Sequence, residues 1–186
     1  MEEPKQNIAP HIKNKHTDDL IDHYWGTINY IFSLIRASEI KAGLILSFYG
    51  IVLNFMYQSL QTIMGEVQNQ IGFYILSGLW FCSTVISVYY SIRCFMPRIE
   101  GKYEKNIFFF GDVISSFGTI HQFSKTFYEI SLDEDRLFDQ LGQQVYINSK
   151  IAAGKFKNIN LSLRFLAIGL ILMMILIIYY ALSIKK

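Results

Sequence analysis

At 186 residues, 52% hydrophobic and 16% aromatic, with a mean hydropathy of +0.27, the chain carries more apolar surface than a soluble domain of its size could hide. A net charge of only +2, with no basic or basic-aromatic repeat, argues against nucleic acid as a direct partner. Cys82 and Cys94 offer no disulfide framework, metal spacing or redox pair and read as core residues.

Residues 1–16, with Pro4 and Pro10, read as a flexible arm. They lack the short apolar core of a secretory signal, so the N-terminus is expected to be retained. Thr17-Asp18-Asp19 then offers a helix cap, and Ile21, Tyr24, Trp25, Ile28, Ile31, Phe32 and Ile35 recur at intervals of three and four, which predicts an amphipathic helix over 17–41. Such a helix either lies in the membrane interface or packs on the cytoplasmic region; a polar face of both charge signs favours packing.

An α-helix needs about 20 apolar residues to cross the hydrocarbon core. Three runs qualify: 42–63, 72–92 and 163–183. The third has no polar residue between Phe165 and Tyr179. The first holds Asn54, Gln58 and Gln61, and the second Ser77, Ser83, Thr84 and Ser87, so both are expected to pack on each other or on a second subunit. The linker MGEVQNQI carries Glu66 and no cation, whereas Arg93, Arg98, Lys102 and Lys105 follow the second span. The positive-inside rule then puts the N-terminus and residues 93–160 in the cytoplasm, with Lys185 and Lys186 on the disfavoured side.

In residues 93–160, Pro97 ends the second helix and Gly101 lies in a charged loop. The phrase KNIFFFGDVISSF follows, with Gly111 as a backbone exit and Asp112 as cap of a helix read from Val113 to Ile130. Its aromatics read either as a structural hinge or as a wall of a ligand site. Ser131 and Glu134 form a capping-box pattern. From Leu132 the helical pattern runs through Leu137, Phe138, Leu141, Val145, Ala152, Phe156 and Ile159 and, with no proline to break it, into the third span. On that helix Gln144, Asn148 and Lys155, four and seven residues apart, share a stripe beside the apolar face. They either bind a nucleobase edge and a phosphate or snorkel at the rim of a packed face. The fold class is thus all-α: an integral membrane protein with three transmembrane helices, an N-terminal amphipathic helix and a helical region continuous with the last span.

No enzyme constellation is present. His11, His16, His23 and His121 are scattered, no glycine loop suits a phosphate, and Ser115-Ser116 lacks a nucleophile elbow. Asp133-Glu134-Asp135 reads as a helix-dipole complement, and neither metal nor cofactor is expected.

The order of parts is more telling. SEIKAG at the mouth of the first span, IRCFMPR closing the second, NIFFFGD, and Gln144 followed by NSKIAAGKFKNI before the last span resemble the transmembrane effector family of bacterial Pycsar anti-phage systems, over about residues 25–183. One departure is visible: where the family shows Asp before a Lys-Ala pair, Glu39 stands two places ahead of Lys41-Ala42. The resemblance implies that a partner pyrimidine cyclase makes cyclic CMP or cyclic UMP. The effector would bind that nucleotide as a homo-oligomer and disrupt the inner membrane, so that the infected cell stops growing or dies. Lys155 or Arg98 would then meet the phosphate, Asn148 and Gln144 the base or ribose, and Phe108, Phe109 and Phe110 a wall, with Asp112 beside it. The alternative is a small membrane scaffold that docks a protein partner and has no nucleotide site.

Overall fold

The computed structural model describes residues 15–66, 71–96 and 104–184, and every regular element among them is an α-helix. The elements are α1 (Lys15–Glu66), α2 (Ile71–Phe95), α3 (Phe110–Ser115), α4 (Ile120–Leu132) and α5 (Glu134–Ile184). Residues 1–14, 67–70 and 97–103 lie outside the described residues, and so do Arg98, Lys102, Lys185 and Lys186.

Two sequence boundaries move. The amphipathic segment and the first span form one uninterrupted helix, α1, because nothing between Thr17 and Ile63 breaks the hydrogen-bond ladder. Thr17 therefore lies inside the helix rather than capping it, and its hydroxyl donates to Glu134 Oε1 at 3.0 Å. The segment read as one helix from Val113 to Ile130 is two. Gly118, at φ +75°, makes the turn between them in a region that disfavours a Cβ, and Thr119 opens α4 with a reciprocal capping box to Gln122. Ser131 is not a cap; its hydroxyl turns back on the Phe127 carbonyl. Asp133 takes that role, accepting from the Arg136 N–H at 3.2 Å.

The chain forms two compact units. The first combines residues 15–30 of α1 with α3, α4 and residues 134–146 of α5. A relay of partly exposed rings runs across it. Trp25 meets Phe108 edge-on at 5.6 Å, Phe108 meets Phe127 at 5.9 Å, and Phe127, Phe123 and Phe117 continue the series at 5.8 and 5.7 Å. Tyr24 stacks on Phe138, and Ile28, Ile107, Ile130 and Leu141 are buried with them. Edge-on and tilted ring pairs add to the area they bury, so Phe108, through Trp25 and Phe127, helps hold this unit together.

The second unit contains residues 31–66 of α1, α2 and residues 147–184 of α5, and each of these three helices is long and apolar enough to cross a membrane. Ala42, Ile45, Tyr49, Cys94 and Ile159 form its core, with Val88, Phe156 and Leu166 against it. Ser83, Ser87 and Ser91, one helical turn apart on α2, are all buried. Ser87 donates to the Ser162 carbonyl at 2.9 Å, Ser162 donates to the Ser87 carbonyl at 2.8 Å, the Ser91 and Ser162 hydroxyls lie 2.7 Å apart, and Ser83 donates to the Phe165 carbonyl at 2.8 Å. Small side chains let two spans approach closely, and in a lipid environment their hydroxyls must find partners within the protein. Ser83, Ser87 and Ser91 of the second span thus face the third. Leu44, Ile51, Phe55, Ile75, Ile171 and Ile178 are exposed and present apolar surface to lipid.

Candidate functional site

α2 stops at Phe95, and its last carbonyls have no following amides to accept from within the helix. α5 supplies the donors. Lys155 Nζ donates to the Cys94 carbonyl at 2.7 Å, and Asn158 Nδ2 donates to the Arg93 carbonyl at 3.5 Å. The same ammonium donates to Glu39 Oε1 on α1 at 2.7 Å. Lys155 is 6% exposed, and an ammonium so buried needs both the opposite charge and the negative end of the α2 dipole. The Glu39 side chain is 38% exposed and so remains open to solvent on one side. All three contributors lie just outside the apolar runs 42–63, 72–92 and 163–183, so one cation ties the neighbouring ends of three spans together. Asn148, two turns before Lys155 on the same face of α5, is buried in the same unit.

Of the other expected site residues, Gln144, Asp112, Phe109 and Phe110 belong to the first unit. Gln144 is buried there. Asp112 does not cap a helix beginning at Val113. α3 begins at Phe110, and the Asp112 carboxylate, in its first turn, accepts the Asn106 N–H at 3.0 Å. Asn106, at 0% exposure, is the centre of this knot. Its Nδ2 donates to the Gln140 carbonyl at 2.7 Å, its Oδ1 accepts the Phe108 N–H at 2.8 Å, and the Ile107 N–H donates to Gln140 Oε1 at 3.0 Å. Phe109 is buried, whereas Phe110 is 78% exposed. Gly111 lies within α3, and a Cβ there would stand 2.8 Å from the Phe109 ring, so the packing of that ring excludes a side chain at 111. Arg98 is outside the described residues. Sequence reading missed Asn106 and Gln140, and also the pairing of Glu39 with Lys155. Only the last left a trace, in the negative charge that Glu39 keeps at the departure from the family pattern.

Among the described residues no cluster of three His, Cys, Asp or Glu is placed to hold a metal. The arrangement is that of a buried cation held between a carboxylate and a helix terminus.

Three spanning helices joined to a helical unit rich in packed aromatics define a multi-pass membrane protein. Residues 23–182 match the family model of the Pycsar effector protein domain, and the chain belongs to that family. It is 24% identical over 157 residues to the Pycsar effector protein PtPycTM of Propioniciclava tarda, an alignment covering 82% of this chain and 76% of that one. No solved structure matches. Family membership makes the chain an anti-phage defence effector of a non-enzymatic class, from a system that pairs a membrane effector with a nucleotide cyclase.

Proposed function

We propose that the chain is a ligand-gated effector that binds cyclic CMP or cyclic UMP from its partner cyclase. As a homo-oligomer it then disrupts the bacterial inner membrane, arresting or killing the infected cell. The N-terminus and residues 93–160 are cytoplasmic in this reading, the side on which the cyclase product appears.

The observation that carries the proposal is the buried Lys155 ammonium, paired with Glu39 where three spans meet. A cyclic mononucleotide has a single phosphate charge, and its phosphate replaces the Glu39 carboxylate on Lys155, while Asn148 offers amide groups to the base or ribose. Loss of the Glu39 partner uncouples α1 from α5 at the mouth of the spans. A ligand that gripped both arrangements equally would shift neither, so the nucleotide must favour the uncoupled one.

Thermal unfolding of the purified chain with a panel of cyclic mononucleotides tests this. At a ligand concentration of about 100 times Kd, binding adds roughly 2.7 kcal/mol, and for a chain of this size each kcal/mol moves Tm by about 2–4 °C. The wild type should gain several degrees with one pyrimidine nucleotide, and Lys155→Ala should insert normally and gain none. An equal gain in Lys155→Ala removes the site assignment, and no gain across the panel removes the nucleotide.

A further inference from the structure

Asn54 and Gln58 stand one helical turn apart on α1, inside the run 42–63. At 1.5 Å per residue they lie about 18 and 24 Å beyond Ala42, within a hydrocarbon core of about 30 Å. Both are exposed in the single chain, and among the described residues neither side chain has a hydrogen-bond or ion-pair partner. Each amide has two donors and an acceptor that lipid cannot satisfy. The packed side of α1 is elsewhere: Ala42, Ile45 and Tyr49 turn into the core. Ser47, Gly50, Asn54 and Gln58, spaced three and four apart, share a different and exposed face, and a Cβ at Gly50 would meet nothing within 4 Å.

We infer that this face of α1 is the interface between copies of the chain in the membrane, with Asn54 and Gln58 hydrogen-bonding to their counterparts on a second copy. A carboxamide is its own complement, giving and taking one hydrogen bond each way, so two copies of the same face satisfy each other without a foreign partner. Ser47 and Gly50, small and on the same face, allow the backbones to approach. The inference rests on the homo-oligomeric reading above and names its contact surface.

The test uses the full chain in vesicles of phosphatidylethanolamine and phosphatidylglycerol. In a background of Cys82→Ser and Cys94→Ala, Asn54→Cys should form a disulfide-linked dimer on mild oxidation, while Phe55→Cys, at the neighbouring position round the helix, should not. The Asn54→Leu, Gln58→Leu double variant suits lipid better than the wild type and so should insert fully. Its dissociation constant for self-association should rise roughly tenfold or more, as expected for two lost interhelical amide pairs. If the wild type self-associates while the leucine variant does so equally well, or both cysteines cross-link alike, this interface is wrong and the homo-oligomer stands. A wild type that stays monomeric at every lipid-to-protein ratio overturns the interface together with the homo-oligomeric reading.

Discussion

Asn106→Ala should loosen the first unit and leave the spans intact. The side chain at 106 is fully enclosed and makes two hydrogen bonds, to the Gln140 carbonyl at 2.7 Å and from the Phe108 N–H at 2.8 Å. Each such bond contributes about 1 kcal/mol net, and a buried N–H left without an acceptor costs about 1–3 kcal/mol. The Gln140 carbonyl keeps its place in the α5 ladder, so the Phe108 amide bears most of the loss. The sum is about 2–3 kcal/mol, which corresponds to a roughly 30- to 150-fold larger open population. Hydrogen exchange of the nanodisc-embedded chain reads it directly: amides in 104–117 should exchange faster by that factor, while those of α2 stay unchanged. Phe110→Ser is the control, since an exposed ring contributes little to the same fold and such changes stay within about 0.5 kcal/mol. If Asn106→Ala accelerates exchange no more than Phe110→Ser does, the knot is not what holds the phrase in place.

Two further substitutions probe the rest of the frame. Ser162→Val removes the hydroxyl shared by Ser87 and Ser91 and puts a branched side chain between two closely packed spans; it should lower stability against unfolding in detergent by about 1–2 kcal/mol, whereas Ser77→Val, outside this hydrogen-bonded seam, should not. Gly118→Ala places a Cβ at φ +75°, a conformation that costs an L residue about 1–2 kcal/mol, and should lower Tm by roughly 2–8 °C.

What the sequence makes legible follows from the range of the signal. Length and unbroken hydrophobicity mark the three spans, because crossing the hydrocarbon is a requirement on consecutive residues. The serines of the second span can be read as turned from lipid, since their four-residue spacing is local, but Ser162 lies 71 residues beyond Ser91 and no period connects them. The same distance limit hides Glu39 from Lys155, 116 residues apart, and Asn106 from Gln140. The break at Gly118 is a different failure. Thr119 followed three residues later by Gln122 is a capping box in plain view, and the reading of one continuous helix from Val113 to Ile130 ran through it. The candidate site was legible in residue type more than in role. Lys155 and Asn148 are brought into one unit, while Asp112 and Phe109 are committed to folding the phrase that made the family recognisable.

The central claim is that a cyclic pyrimidine nucleotide opens the membrane by taking Lys155 from Glu39. Dye release from vesicles holding the wild-type chain or Glu39→Gln, titrated with cyclic CMP and cyclic UMP, measures it. Glutamine keeps a neutral oxygen that can accept from Lys155, so the coupling is weakened and not lost: release should stay nucleotide-dependent while its midpoint moves to about tenfold lower concentration, the difference between a charge-assisted and a neutral hydrogen bond. Coincident titrations for the two proteins, or vesicles that stay sealed with the wild type at saturating nucleotide, would contradict the account.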